Sequence, residues 1–119
     1  MTRFSQQIIV NKHQSAAEIG SGLLEVFSTP SMIALMENTA MQLIPLKEGE
    51  SSVGTSIHAE HLKASPIGAK LTFTAELTAN EGRKYNFNIE VSDESGNLVG
   101  KALHTRFVVD IARFMSKVQ

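Results

Sequence analysis

The hydrophobic period of this chain changes once along its length, and that change limits the folds open to it. Between Thr29 and Pro45 apolar residues recur at helical spacing, in a run too apolar for an ordinary surface helix. Its members are Met32, Ile33, Leu35, Met36, Ala40, Leu43 and Ile44. From Val53 onward apolar and polar residues alternate instead, which is typical of strands. We therefore expect one long, largely buried helix that ends before Pro45, followed by a sheet.

The start of the predicted helix is marked by the Thr29-Pro30 pair. Threonine can cap free backbone N–H groups, and proline at the first helical position loses no hydrogen bond. Ahead of this pair we expect short strands at residues 7–10 and 23–27, with a turn or loop at residues 16–22.

Long alternating segments follow the helix. The predicted core face of the first strand carries Val53, Thr55, Ile57, Ala59 and His61. The opposite face carries Gly54, Ser56, His58 and Glu60. Further strands are expected at residues 71–77, 85–91 and about 98–109, with turns at residues 80–83 and 93–97. This order predicts an α+β protein with a hotdog fold, an antiparallel sheet wrapped around one long central helix.

Composition limits the class of protein. The 119 residues, 42% of them hydrophobic, suffice for one compact domain spanning residues 1–119. The lack of Cys excludes a thiolate nucleophile and fits a reducing compartment. A net charge of -1 with scattered cations argues against nucleic acid as a partner. No run approaches the roughly 18 apolar residues of a membrane span, and no signal-peptide pattern is present, so we expect a cytoplasmic protein without membrane contact.

Three side chains could carry chemistry: the Thr29 hydroxyl, the Glu37 carboxylate and the His61 imidazole. Histidine moves protons near neutral pH, and a held carboxylate can orient it or activate water, so the set fits hydrolysis of an activated acyl group. Because a buried carboxylate usually has a partner or a task, Glu37 is the expected partner of His61. No spacing of ligand residues suggests a metal site.

Each of these residues also has a purely structural interpretation. Thr29 can be a helix cap, Glu37 a solvated side chain and His61 a satisfied core histidine. Gly54 can mark a bulge or a close backbone approach. The remaining histidines are expected to be structural or solvent-facing: His13, His58 and His104.

The order of these motifs resembles the fluoroacetyl-CoA-type thioesterases of the hotdog superfamily, over about residues 21–109. The motifs are Thr29-Pro30, Glu37, Gly54, His61 and Ser65-Pro66-Ile67-Gly68. The resemblance implies that Thr29, Glu37 and His61 are the catalytic set and that Gly54 lies beside the acyl chain. It also implies an acyl-CoA substrate with a short or medium acyl group and no cofactor.

The implied substrate raises two further expectations. The CoA phosphates require cations near the pocket mouth, and the candidates are Lys63, Arg83, Lys84 and Arg106. The thioester carbonyl is attacked either by a water that Glu37 or His61 deprotonates or by the activated Thr29 hydroxyl. Backbone N–H groups at the start of the helix are the expected oxyanion donors.

Helix geometry separates two members of the catalytic set. Thr29 and Glu37 lie about 12 Å apart along a straight helix and about 80° apart around it, so both cannot contact His61 directly. Either the helix entrance is bent or two subunits share the site. We favour a homodimer with a shared site, and a dimer of dimers is the larger alternative.

Three other functions compete with the thioesterase. A non-catalytic acyl-CoA-binding or regulatory hotdog domain would keep the pocket without releasing free thiol. A hotdog hydratase usually has an Asp/His pair that this sequence lacks. A purely structural dimer leaves Glu37 and His61 unexplained.

Overall fold

A single antiparallel sheet lies against one helix in this protein, whose computed structural model describes residues 2–119. The strands are β1 (Arg3–Ile9), β2 (Glu50–His61), β3 (Lys70–Glu81), β4 (Lys84–Asp93) and β5 (Leu98–Asp110). The helices are α1 (Ala16–Ile19), α2 (Thr29–Met41) and α3 (Ile111–Val118), with a 3₁₀ turn at Lys12–Gln14. The sheet order is β1-β3-β4-β5-β2, and every pairing is antiparallel. The predicted α+β arrangement, with a sheet around one main helix, is confirmed.

Helix α2 begins with a cap that differs from the predicted one. The Ser28 hydroxyl accepts the N–H of Ser31 at 3.2 Å, so Ser28 and not Thr29 is the N-cap. Thr29 is the first helical residue, and its hydroxyl is therefore free for another role. At the other end α2 stops at Met41, and single turn-type bonds carry the chain on to Ile44.

The core lies between α2 and the inner face of the sheet. The large apolar side chains that are fully buried include three phenylalanines and two helix methionines, and they are Phe27, Phe73, Phe87, Met32, Met36, Leu71, Ile89, Val10, Val91 and Val99. Helix α2 buries one face, with Met32, Met36, Thr39 and Ala40, and is therefore less enclosed than the predicted largely buried helix. Among residues 2–119, no helix is long and apolar enough to cross a membrane.

A bulge in β2 overturns the predicted alternation of that strand. Gly54 pairs with Arg106, but Ser56 pairs with Thr105, so Thr55 is the extra residue. A bulge switches the face on which the preceding residues lie. Gly54 therefore lies on the inner face, with Glu37 of α2 opposite it, and the prediction that it shares the outer face with Ser56 is wrong.

Two other segments differ from expectation. The predicted strand at residues 23–27 is absent, because Val26 and Phe27 form only isolated bridges, and Leu23 is 94% exposed. Part of the predicted loop at residues 16–22 is the short helix α1, which ends at Gly20 with a positive φ of 90°. Residues 111–118, for which the sequence makes no assignment, form α3.

Candidate functional site

Thr29 and His61 form a hydrogen-bonded pair where the start of α2 meets the end of β2. The Thr29 Oγ1 atom lies 2.8 Å from His61 Nδ1. Thr29 is exposed, whereas His61 is half-buried. Because Ser28 takes the capping role, the hydroxyl of Thr29 can turn toward the imidazole. This pair joins two of the three residues expected to be catalytic.

The surroundings of His61 are apolar. Its ring meets the edge of Phe27, with ring centroids 6.2 Å apart and planes at 78°. The Nε2 atom is buried and has no hydrogen-bond partner within residues 2–119. Burial lowers the pKa of His61 below its ordinary value, and an interaction with the Lys63 backbone partly opposes this shift. The imidazole is therefore mainly neutral at pH 7 and ready to accept a proton.

An open cleft of 310 Å³ adjoins this pair. One wall comes from Val26 and Phe27, ahead of α2, and from Thr29 at its start, and the other comes from His61 at the end of β2 and Lys63 just after it. The cleft gives a small acyl group access to the Thr29 hydroxyl from solvent.

The start of α2 offers fewer oxyanion donors than the sequence suggests. Ser31 N–H is already bound by the Ser28 hydroxyl, and Met32 N–H by the Ser28 carbonyl. Pro30 has no N–H. Within residues 2–119 the N–H of Thr29 has no acceptor, so it is the donor left at this end of the helix.

A second cluster forms around Gly54, nearer the start of β2. A Cβ atom at this glycine would lie 3.1 Å from Glu37 Oε2, 3.1 Å from His104 Cε1 and 3.4 Å from Arg106 Nη1. Three ionisable side chains from α2 and β5 thus converge on a position where only a hydrogen atom fits without displacement. The carboxylate of Glu37 forms no hydrogen bond or ion pair of ordinary length with any other described residue.

Arg106 lies inside the protein and not at its surface. The side chain is only 8% exposed, and its Nε and Nη2 atoms donate to the Ser52 hydroxyl and carbonyl, both at 2.9 Å. Burial lowers the pKa of Arg106, and the negative charge of Glu37 opposes the shift. The role predicted for Arg106 at the CoA phosphates stays a prediction, and the burial places any contact with substrate near Gly54.

Two of the three other predicted phosphate cations, Lys63 and Arg83, have carboxylate partners of their own. Lys63 forms an ion pair with Asp93 at 2.6 Å, and Arg83 forms one with Glu50 at 3.4 Å. A substrate phosphate would therefore compete with a carboxylate for either side chain.

His104 belongs to the cluster and was missed by the sequence reasoning. It is 2% exposed, its Nδ1 lies 2.8 Å from the Ser56 carbonyl oxygen, and its Nε2 lies 3.3 Å from Arg106 Nη1. His104 was predicted to be either structural or solvent-facing. The structural alternative is confirmed, because the side chain is buried and hydrogen-bonded, and the solvent-facing one is wrong. The available signal was the alternation of β5, which places His104 and Arg106 on one face with Ala102 and Val108.

The expected contact between Glu37 and His61 does not occur within the chain. His61 pairs with Gly100 across the sheet, whereas Glu37 lies at Gly54, which pairs with Arg106. Seven residues of strand separate the two positions, or about 20 Å. The chain thus brings Thr29 to His61 and Glu37 to Gly54, but it does not bring the two pairs together.

Comparisons with known proteins give a consistent result. The family described as fluoroacetyl-CoA-specific thioesterase (FlK) matches residues 10–112. The fluoroacetyl-CoA thioesterase of Streptantibioticus cattleyicolor is 31% identical over 125 residues, which cover 98% of this chain and 89% of that protein. A solved structure of an FlK variant in complex with acetyl-CoA superposes with a TM-score of 0.91 at 31% identity, covering 98% of this chain and 92% of that one. A hot-dog-like protein from Thermanaerovibrio acidaminovorans has the same fold, with a TM-score of 0.88, 24% identity and coverage of 98% and 87%.

Proposed function

Because the chain belongs to the fluoroacetyl-CoA-specific thioesterase family, we propose that it is an acyl-CoA thioesterase. It hydrolyses a short or medium acyl-CoA thioester to a free acid and CoA. The observation that carries the proposal is the 2.8 Å contact between Thr29 and His61 at an open cleft. The acetyl-CoA complex of a related protein supports an acyl-CoA substrate. The fluoroacetyl preference is not transferred, because it depends on the shape of the acyl pocket.

Each catalytic residue has a defined task in this proposal. Glu37, whose carboxylate has no partner in the described chain, takes a proton from water, and the water oxygen attacks the thioester carbonyl. The Thr29 hydroxyl and N–H face the developing oxyanion. The C–S bond then breaks, and His61 relays the proton taken up by Glu37 to the leaving thiolate, which departs as the free thiol of CoA and leaves Glu37 ionised again. Formation of an acyl-enzyme on Thr29 is the competing route, and mass spectrometry of the enzyme during turnover would detect its adduct.

We also propose that two copies of the chain share each active site. Glu37 lies two turns along α2 from Thr29 and faces Gly54, away from His61, so one chain alone cannot apply both to one thioester. Strand β2 is an edge strand of 12 residues, and its free edge can pair with that of a second copy. In such a homodimer Glu37 of one subunit can approach Thr29 and His61 of the other.

The location and organisation of the protein are proposed from its composition. The absence of Cys agrees with a cytoplasmic enzyme, and residues 1–119 are proposed to form one hotdog domain.

Release of free thiol from a panel of acyl-CoA esters tests the activity. We expect turnover by the wild-type protein and a loss of about 10²- to 10⁴-fold in Glu37→Gln and His61→Ala. His58→Ala is the matched control, because His58 is an exposed histidine on the same strand. Acyl-CoA binding without thiol release by the wild type would contradict the enzyme and support a non-catalytic binding domain instead.

A further inference from the structure

The two ring nitrogens of His104 have different partners, and together these partners fix its tautomer. The Ser56 carbonyl oxygen, 2.8 Å from Nδ1, can only accept a hydrogen bond, so Nδ1 carries the proton. The Arg106 guanidinium, 3.3 Å from Nε2, can only donate, so Nε2 presents its lone pair. Phe87 packs beside the ring, with centroids 6.3 Å apart. His104 is therefore a neutral imidazole held in one orientation.

This imidazole completes the set of groups that hold the Arg106 guanidinium. The bonds to Ser52 fix one side of the guanidinium, and the bond to His104 Nε2 fixes Nη1. Within residues 2–119, Arg106 has no carboxylate within ion-pair distance. Its buried positive charge is aimed at the same point beside Gly54 as the Glu37 carboxylate.

We propose that His104 is a positioning residue for thioester hydrolysis, which holds the Arg106 guanidinium so that its charge stabilises and orients the Glu37 carboxylate. The proposal rests on the role of Glu37 as the base. The charged and titratable groups that face His104 are Arg106 from its own strand and Glu37 from α2. Strand β2 contributes the Ser56 carbonyl, and β4 contributes Phe87, which does not titrate.

Protonation of His104 would undo this arrangement. An N–H at Nε2 would point at the guanidinium. The positive charges of His104 and Arg106 would then lie side by side in the protein interior, which is unfavourable. Burial is the main cause that lowers the pKa of His104, and the charge of Arg106 acts in the same direction, while the Ser56 carbonyl and Glu37 oppose the shift. Burial and the charge of Arg106 thus both favour the neutral imidazole.

Two amide substitutions separate the two hydrogen bonds of His104. In His104→Gln the side-chain oxygen can reach the position of Nε2 and accept from Arg106. In His104→Asn the shorter amide can donate to the Ser56 carbonyl but leaves Arg106 without its acceptor. We expect His104→Gln to retain kcat within about threefold and His104→Asn to lose about tenfold or more. We also expect the acid limb of the kcat/KM profile to move to higher pH in His104→Asn alone.

The outcomes distinguish this inference from the proposed function. Equal losses in the two variants, or a loss that is the same at every pH, would overturn the positioning role while wild-type turnover and an inactive Glu37→Gln uphold the thioesterase. A wild-type protein without turnover would overturn both. Should either variant fail to fold, ¹⁵N NMR of the wild-type imidazole decides the question. A proton on Nδ1 only at pH 7 is expected, and a proton on Nε2 would refute the inference.

Discussion

Substitution of Gly54 by Ala probes the convergence of side chains at the inner face of β2. The new methyl group would lie 3.1 Å from Glu37 Oε2 and 3.1 Å from His104 Cε1, so both must move by a few tenths of an ångström. Since a displacement of 1 Å in an active site costs about 10²-fold, we expect kcat/KM to fall about tenfold, or about 1.4 kcal/mol of transition-state stabilisation. The contacted atoms are side-chain ends that can shift, and Ala loses less backbone entropy than Gly on folding. The free energy of unfolding should therefore change by less than about 1 kcal/mol.

Gly100→Ala is the contrasting variant in the paired strand. Its methyl group would lie 2.6 Å from Met32 Sδ and 3.1 Å from the Glu60 carbonyl oxygen, so it overpacks the core. Here we expect a loss of about 1–3 kcal/mol in stability. Thiol-release kinetics and urea unfolding on both variants provide the comparison. Wild-type kinetics in Gly54→Ala, or a stability loss as large as that of Gly100→Ala, would refute the proposed geometry at Gly54.

Three further predictions concern the supports of the site. Ser28→Ala removes the cap of α2, and urea unfolding should show a loss of about 1 kcal/mol. The hydrogen bonds of Asp93 with Lys63 and Asn97 lower its pKa from 3.8 to about 2, so its stabilising effect is complete above about pH 4 and disappears as the pH falls toward 2. Asp93→Asn should accordingly be less stable than wild type at pH 7 but not at pH 2, and equal stability at pH 7 would contradict this. Because burial lowers the pKa of His61, a limb of kcat/KM that belongs to this residue should lie below pH 6.5, and a limb above that value would be inconsistent with the buried ring.

The change of hydrophobic period was sufficient to predict the architecture. Helical spacing and then alternation reflect burial on one face, which is set by the sequence itself, and they placed α2 and the long strands correctly. Gly54 indicated a possible bulge in β2, but the extra residue, Thr55, could not be identified from the sequence, because it is defined by the register of the partner strand. The same limit applies to the N-cap, since Ser28 and Thr29 are both good caps and only the path of the chain selects between them.

The candidate site was predictable in part. Residue type and spacing selected Thr29, Glu37 and His61, and the structure joins the first to the third. The expected contact of Glu37 with His61 does not form, because Glu37 lies two turns beyond Thr29 on α2 and therefore faces Gly54 in β2. His104 was missed because its partners, Ser56 and Arg106, become neighbours only once the register of β2 against β5 is known.

The most direct test of the account is activity in a mixture of two inactive variants, Glu37→Gln and His61→Ala, refolded together. If one subunit supplies Glu37 and the other supplies Thr29 and His61, half of the dimers are mixed and each mixed dimer has one intact site. Thiol release should then recover to about one quarter of the wild-type rate. A mixture of Thr29→Ala with His61→Ala is the control, and it should stay inactive because both changes fall on the same side of the site. No recovery in the first mixture, with mixed dimers shown to form, would contradict the shared thioesterase site.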